Sequence, residues 1–149
     1  MSAAAAYNRP VRYLGVDPGG KKVGLAVGDD QTGFVSPLEV VASEGTAAVA
    51  ELIVDTAARV GASLVVIGVP TLADGSSGPA ARRSELLAAA LRRLGLEVAL
   101  QSEYLTTNEA RRRARSAGRP VDRPVDDLAA QIILEDYLAG PAMNPQVED

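Results

Sequence analysis

Residues 63–70, SLVVIGVP, carry no polar side chain between Leu64 and Val69. A strand with one face in water alternates apolar and polar residues, whereas a continuously apolar strand is typical of a parallel sheet that is covered on both faces. This run therefore predicts an α/β domain in which helices pack on both sides of the strand.

The segments around this run set the order of the elements. Strands are predicted over residues 11–17, 22–29, 33–41, 63–70 and 96–100. Helices are predicted over residues 46–60, 79–94, 106–117 and 125–138. Pro37 has no N–H to donate to a neighbouring strand, so the third strand is expected at an edge of the sheet. The order predicts a mixed five-stranded sheet, with three antiparallel strands, then two parallel strands, and helices on both faces, as in ribonuclease-H-like folds.

The length of 149 residues predicts one domain, at residues 11–140, with short tails at 1–10 and 141–149. The opening MSAAAAYNRP lacks the basic and apolar segments of a signal peptide. No apolar run reaches the roughly 18 residues of a membrane span. Because the chain also has no cysteine, and hence no disulfide framework, we expect a cytoplasmic protein that does not contact membranes.

The absence of histidine and cysteine restricts the chemistry that the chain can perform. It excludes thiol nucleophiles, Ser-His triads, imidazole bases and zinc sites built from His or Cys. Any hydrolysis must use carboxylates, lysines and hydroxyls, and oxygen ligands of this kind favour Mg²⁺ or Mn²⁺.

The net charge of −4 is unevenly distributed along the chain. Residues 82–123 contain ten arginines and five acids, a local charge of +5. Residues 124–149 contain six acids and no base. A basic middle segment beside acidic flanks permits phosphate binding on one face of the protein, although the overall charge is negative.

Candidate metal ligands lie near the ends of predicted strands and at the start of the last helix. Asp17 ends the first strand, Glu103 follows the strand at 96–100, and Asp126 and Asp127 begin the last helix. The carboxyl ends of strands in an open α/β sheet line its binding site. Two divalent ions bridged by such a cluster, about 3.5–4 Å apart, can activate water and stabilise the leaving oxygen of a phosphodiester.

Each of these acids also has a structural explanation. Asp17 precedes a proline and favours a turn, and Glu103 is compatible with an ordinary solvated acid. Asp126 or Asp127 suits a helix cap, and the periodicity of the last helix does not choose between the two. Only the convergence of the three positions favours a metal site.

Candidate phosphate contacts are the lysines after Asp17, the Gly/Ser loop TLADGSSG and the arginines that follow. The loop precedes a helix whose free N–H groups favour anions. Solvated turn residues, a flexible connector and a solvated charged face are the structural alternatives. The candidates are Lys21, Lys22, Ser77, Arg82, Arg111, Arg112 and Arg115.

Four ordered segments resemble the YqgF/RuvX family, relatives of the RuvC Holliday junction resolvases. They are GVDPGGKKVGLAVGD, LVVIGVPTLADGSSGPAARR, VALQSEYLTTNEARR and PVDDLAAQIILEDYL. Together they cover about residues 11–139. The resemblance implies a ribonuclease-H-like fold and a divalent-metal nuclease that acts on precursor 16S rRNA, on branched DNA junctions, or on both. It also implies that Asp17, Glu103 and Asp126 are the catalytic and metal-binding carboxylates, in preference to Asp127.

The chain departs from the family pattern in two places. The usual Asp-Glu-Arg reads Ser102-Glu103-Tyr104, and Ala129 and Ala130 stand where the resolvases carry a further acid. These changes motivate a second hypothesis, a non-catalytic module that binds rRNA or junctions through a degraded site. A homodimer that completes the site is a further arrangement that the sequence leaves open. Actin-like sugar kinases share the opening Asp-x-Gly, but they need two such domains to enclose ATP.

Overall fold

Five strands form one mixed sheet in the computed structural model, which describes residues 11–70, 78–103 and 126–140, without the side chains of residues 126 and 127. The strands are β1 (Arg12–Pro18), β2 (Lys22–Asp29), β3 (Val35–Ala42), β4 (Leu64–Pro70) and β5 (Glu97–Glu103). Their order across the sheet is β3-β2-β1-β4-β5. Strands β1, β2 and β3 are antiparallel, whereas β1, β4 and β5 are parallel. The predicted mixed sheet is confirmed, and Pro37 lies in an edge strand as expected.

Two helices cover one face of the sheet and a third covers the other. The helices are α1 (Thr46–Val60), α2 (Pro79–Arg93) and α3 (Asp126–Ala139). α1 ends at Gly61, whose φ of 73° lies in the left-handed region that favours glycine. Neither the predicted helix at 106–117 nor the two predicted tails belong to the described residues.

The larger apolar core lies between the sheet and helices α1 and α2. Alternate residues of the strands enter it because successive side chains of a strand point to opposite faces. Its fully buried members include Leu14, Val16, Leu25, Ile53, Val65, Ile67 and Leu91.

α3 packs closely on the opposite face, where glycines replace side chains in the strands. A Cβ atom on Gly15 would lie 2.9 Å from the Ala130 carbonyl oxygen and 2.9 Å from Leu134 Cβ. A Cβ atom on Gly68 would collide with the Ile133 side chain. Glycine at these two positions therefore allows the helix backbone to approach β1 and β4.

β5 is longer than the sequence predicts. The expected strand ended at Leu100, whereas the observed ladder with β4 continues through Gln101 and Ser102 to Glu103. Backbone pairing with the end of β4 extends the strand through polar residues that have no apolar pattern. Glu103 is consequently the last residue of β5 rather than a residue beyond the strand.

Among the described helices, none is long and apolar enough to cross a membrane.

Candidate active site

Asp17 and Glu103 lie at the same edge of the sheet. Val16 pairs with Ile67, and Ile67 pairs with Leu100, so these three residues form one row across β1, β4 and β5. Asp17 lies one residue beyond this row and Glu103 three residues beyond it. Strands about 4.8 Å apart with a rise of about 3.3 Å per residue would place the two Cα atoms about 12 Å apart if β1 and β4 kept this spacing beyond their last pair.

The two acids also lie on the same face of the sheet. Val16 enters the core beneath α1 and α2, so Asp17, the next residue, faces α3. Val98 packs against the same core as Val16, and Glu103 lies an odd number of residues further along β5. Glu103 therefore shares the α3 face with Asp17, and both side chains are half-buried.

The N-terminus of α3 lies beside Asp17. Ala130 passes over Gly15, and Tyr137 contacts Tyr13 with ring centroids 6.0 Å apart. The helix therefore runs antiparallel to β1, with its first residue toward the edge that carries Asp17. Asp126 precedes Ala130 by about 6 Å along the helix, and Asp17 follows Gly15 by about 6.6 Å along the strand. The first turn of α3 therefore lies toward the end of β1 that carries Asp17.

Helix position also distinguishes the first two residues of α3. Positions 126, 130 and 134 form one line on the helix surface, and Ala130 and Leu134 both contact β1 at Gly15. Position 127 belongs instead to the line that contains Gln131, which donates a hydrogen bond to the Val35 carbonyl of β3 at 3.4 Å. Position 126 thus lies over β1, whereas position 127 lies toward the β3 edge.

Glycines lie next to Asp17 on the two adjoining strands. Gly24 is its direct partner in the antiparallel ladder with β2. Gly68 follows Ile67, the residue that pairs with Val16. Neither glycine adds a side chain beside the carboxylate, and the Ile133 side chain of α3 occupies the space over Gly68.

The two departures from the family pattern affect this edge differently. Ser102 alternates with Glu103 along β5 and so lies on the face opposite the candidate site. Ala129 and Ala130 are almost completely buried, and the Ala130 backbone packs against Gly15. This close packing leaves no room for a carboxylate at position 130.

The predicted phosphate contacts are only partly described. Lys21 lies in the β1–β2 turn and Lys22 begins β2, so both exposed side chains stand next to the edge with Asp17. Arg82 is exposed on the first turn of α2. Ser77 and the arginines at 111, 112 and 115 lie outside the described residues.

Arg83 and Ser84 contact this edge from the other face of the sheet, and neither is among the predicted site residues. Arg83 donates a hydrogen bond to the Pro18 carbonyl, and the completely buried Ser84 donates one to the Gly68 carbonyl. The helical spacing of Ala81, Ser84 and Leu87 could have identified Ser84, because it places a polar residue on the buried stripe of α2.

The described side chains do not by themselves include a group of three or more Asp or Glu residues that could hold a metal ion. The third predicted ligand, Asp126, has a described backbone position but no described side chain. What the structure brings together is the half-buried pair Asp17 and Glu103 with the backbone of Asp126. These are oxygen donors suited to Mg²⁺ or Mn²⁺.

Comparisons with known proteins point to one family. The family model described as "RuvX: Holliday junction resolvase" matches residues 11–140. A protein of Acidiphilium cryptum (strain JF-5), named as a proposed pre-16S rRNA nuclease, is 35% identical over 91% of this chain and 88% of its own length. A protein of Anaeromyxobacter sp. (strain Fw109-5) with the same name is 37% identical over 87% of this chain and 98% of its own length.

Solved structures show a similar fold. The RuvC protein of Thermus thermophilus in complex with a Holliday junction substrate superposes with a TM-score of 0.56 and 16% identity, over 90% of this chain and 96% of that one. RuvC alone gives a TM-score of 0.53 and 14% identity, over 89% of this chain and 97% of that one. The fold is therefore ribonuclease-H-like.

Proposed function

Because the chain belongs to the RuvX family of Holliday junction resolvases, we propose that it is a divalent-metal-dependent nuclease acting on structured nucleic acid. Its substrate class is precursor 16S rRNA, four-way DNA junctions, or both. The names of its relatives favour the rRNA precursor. Such substrates place it in the cytoplasm.

The observation that carries this proposal is the meeting of three acidic positions at one edge of the sheet. Asp17 and Glu103 share the α3 face, and the backbone of Asp126 begins α3 beside Asp17. Three separate segments of the chain thus bring acidic positions to one edge of the sheet, which supports the proposal. A helix cap or a turn explains each acid singly, but neither explains why all three lie together.

Asp17, Glu103 and Asp126 would hold the divalent ions. Such ions, when bound, neutralise charge on the phosphodiester and lower the pKa of water. The protein's own contribution is to fix the carboxylates on rigid strands and a helix start. Lys21 and Lys22 flank the same edge and would contact the phosphate backbone, together with Ser77, Arg82, Arg111, Arg112 and Arg115.

The test compares the wild-type protein with Asp17→Asn on labelled precursor rRNA and on four-way junctions, in Mn²⁺ and in Mg²⁺. We expect Asp17→Asn to lose at least about 100-fold in rate, as removal of charge stabilisation typically does. Equal rates for the two proteins would show that the hydrolysis comes from a contaminant or from another site.

The second candidate is a binding module without catalysis, and it predicts a different result. It requires salt-dependent binding that survives Asp17→Asn, with no cleavage in any divalent metal. The position of Ser102 on the face opposite Glu103 counts against it, because the missing acid at position 102 would not have joined Asp17 and Glu103.

Salt dependence tests the proposed phosphate contacts separately from cleavage. Each phosphate contact adds about 0.7–0.9 to the slope of log affinity against log salt. Replacing Arg111, Arg112 and Arg115 together with glutamine should therefore lower the slope by about 2–3. An unchanged slope would show that these arginines do not contact phosphates and only form a solvated charged face.

A further inference from the structure

The pairing between β1 and β4 ends before either strand does, and we call the two strand pairs beyond this point the arms of a fork. The β1–β4 ladder ends at Val16 and Ile67. Beyond this pair, β1 stays paired with β2 through Pro18, while β4 stays paired with β5 through Pro70 and Glu103. Asp17 lies on one arm of the fork and Glu103 on the other. The width of the fork therefore sets the distance between the two carboxylates.

Two consecutive residues of α2 hold the two arms from the opposite face of the sheet. The Ser84 hydroxyl donates to the Gly68 carbonyl at 2.7 Å, and Ser84 is completely buried. Arg83 Nη1 donates to the Pro18 carbonyl at 3.4 Å. Gly68 is the first residue of β4 past the last pair, and Pro18 directly follows Asp17. One turn of α2 thus contacts both arms where they separate.

A cavity lies between the Asp17 arm and helices α1 and α2 on this side. It has a volume of about 210 Å³ and lies beside the β1–β2 turn, and its lining includes Gly19, Gly20 and Arg83. The turn is held at its other end by the Ser43 N–H, which donates to the Lys21 carbonyl at 2.9 Å. Arg83, which lines this cavity, donates a hydrogen bond from α2 to the Pro18 carbonyl beside the turn.

The two bonds differ in strength. The Ser84 bond is short and buried, whereas the Arg83 bond is at the long end of hydrogen-bond distances. The Ser84 bond thus fixes the β4 arm to α2. The Arg83 bond holds the β1 arm less firmly, so a small movement of the β1–β2 turn would break this bond and shift the arm.

We propose that Arg83 and Ser84 are positioning residues that set the separation of Asp17 and Glu103 and, through it, the affinity of the site for divalent ions. This inference rests on the proposed nuclease function. In this role neither residue contacts the ion or the nucleic acid. Residues that orient metal ligands from outside the coordination shell typically change affinity by about 10–100-fold when they are replaced.

The test measures Mn²⁺ binding to the full chain by calorimetry, without nucleic acid, at a temperature well below every variant's unfolding midpoint. We expect Ser84→Ala and Arg83→Gln each to weaken Mn²⁺ binding by about 10-fold or more. Arg93→Gln makes the same charge change on the exposed last turn of α2 and should leave Mn²⁺ binding unchanged. Wild-type affinity in both Ser84→Ala and Arg83→Gln would overturn the inference. If Ser84→Ala does not fold, Arg83→Gln decides alone.

Asp17→Asn, measured in the same experiment, separates this inference from the proposed function. If Asp17→Asn loses Mn²⁺ binding while the α2 variants bind as the wild type does, only the positioning role is wrong. If Asp17→Asn binds Mn²⁺ as tightly as the wild type, the ion site itself is wrong and the inference falls with it.

Cleavage kinetics on a four-way DNA junction distinguish positioning from a direct phosphate contact by Arg83. Positioning predicts that Arg83→Gln raises the Mn²⁺ concentration for half-maximal rate and leaves KM for the junction unchanged. A raised KM with an unchanged Mn²⁺ requirement would assign Arg83 to the substrate and overturn the proposal.

Discussion

Asp17 and Glu103 lie on the same face of the sheet, on parallel strands separated only by β4. The carboxyl ends of both strands point to the edge where α3 begins. No short stretch of the sequence contains this relationship, because the two acids are far apart along the chain and meet only through the strand order. That order places the candidate site where the pairing of β1 with β4 ends.

The first two residues of α3 should differ in their effect on activity. Asp126 lies on the helix line over β1 and Asp127 on the line toward β3, so Asp126→Asn should lower kcat by about 100-fold or more. Asp127→Asn should stay close to the wild-type rate. Both replacements remove one negative charge from the helix N-terminus. The two variants therefore lose the same favourable interaction with the helix dipole, about 0.3–1 kcal/mol, and this loss cannot explain a difference between them. Equal losses in the two variants would contradict the assignment.

Gly15→Ala should destabilise the protein. The added methyl group would meet the Ala130 carbonyl oxygen and Leu134 Cβ, each at 2.9 Å. Since the first of these atoms belongs to the helix backbone, α3 must shift, at a cost of about 1–3 kcal/mol in the free energy of unfolding. Urea denaturation measures this loss.

Gly20→Ala is the matched control for Gly15→Ala. Its methyl group would meet the flexible end of Arg83 at 3.5 Å, an ordinary van der Waals contact. Its effect should stay within about 0.5 kcal/mol. Equal stability of the two variants would show that α3 does not need the close approach at Gly15.

The β2–β3 turn should make stability dependent on pH through Asp29. The Thr32 backbone N–H, 2.8 Å from Asp29 Oδ1, and the Thr32 hydroxyl, 2.9 Å from Oδ2, lower the pKa of this carboxyl. A lowered folded-state pKa stabilises the protein above the ordinary value of 3.8, and this contribution is lost as the pH falls through the folded-state pKa.

Asp29→Asn should therefore lower the urea midpoint at pH 7, and the deficit should shrink below pH 3.8. Asp55→Asn, an exposed acid on α1, serves as the control for the loss of one charge. A deficit of constant size from pH 7 to about pH 3 would show that the Thr32 bonds do not stabilise the charged form.

The sequence predicted most elements because local signals agreed with the fold. Gly61 ends α1 at the predicted residue, and Pro79 begins α2 as predicted. The apolar run at 64–69 lies in a strand with helices on both faces, as its composition requires. Where the apolar pattern and the turn residues were clear, the predicted and observed boundaries of an element differ by at most one or two residues.

The features that the sequence did not predict depend on tertiary contacts. The end of β5 at Gln101 and Ser102 is polar, and only its pairing with β4 defines it as strand. The choice between Asp126 and Asp127 depends on which line of α3 lies over β1, and Ala129, Ile132 and Ile133 make that helix apolar in several directions. The role of Ser84 depends on its hydrogen bond to the Gly68 carbonyl, which belongs to another element, β4.

The most direct measurement is a crystal structure of the full chain with Mn²⁺, in which anomalous scattering locates the ions. We expect an anomalous peak for Mn²⁺ in contact with carboxylate oxygens of both Asp17 and Glu103. Asp17→Asn crystals grown under the same conditions should show no anomalous peak at this position. Saturating Mn²⁺ bound elsewhere, with the Asp17 and Glu103 side chains directed away from each other, would contradict the proposal that these acids form a nuclease site.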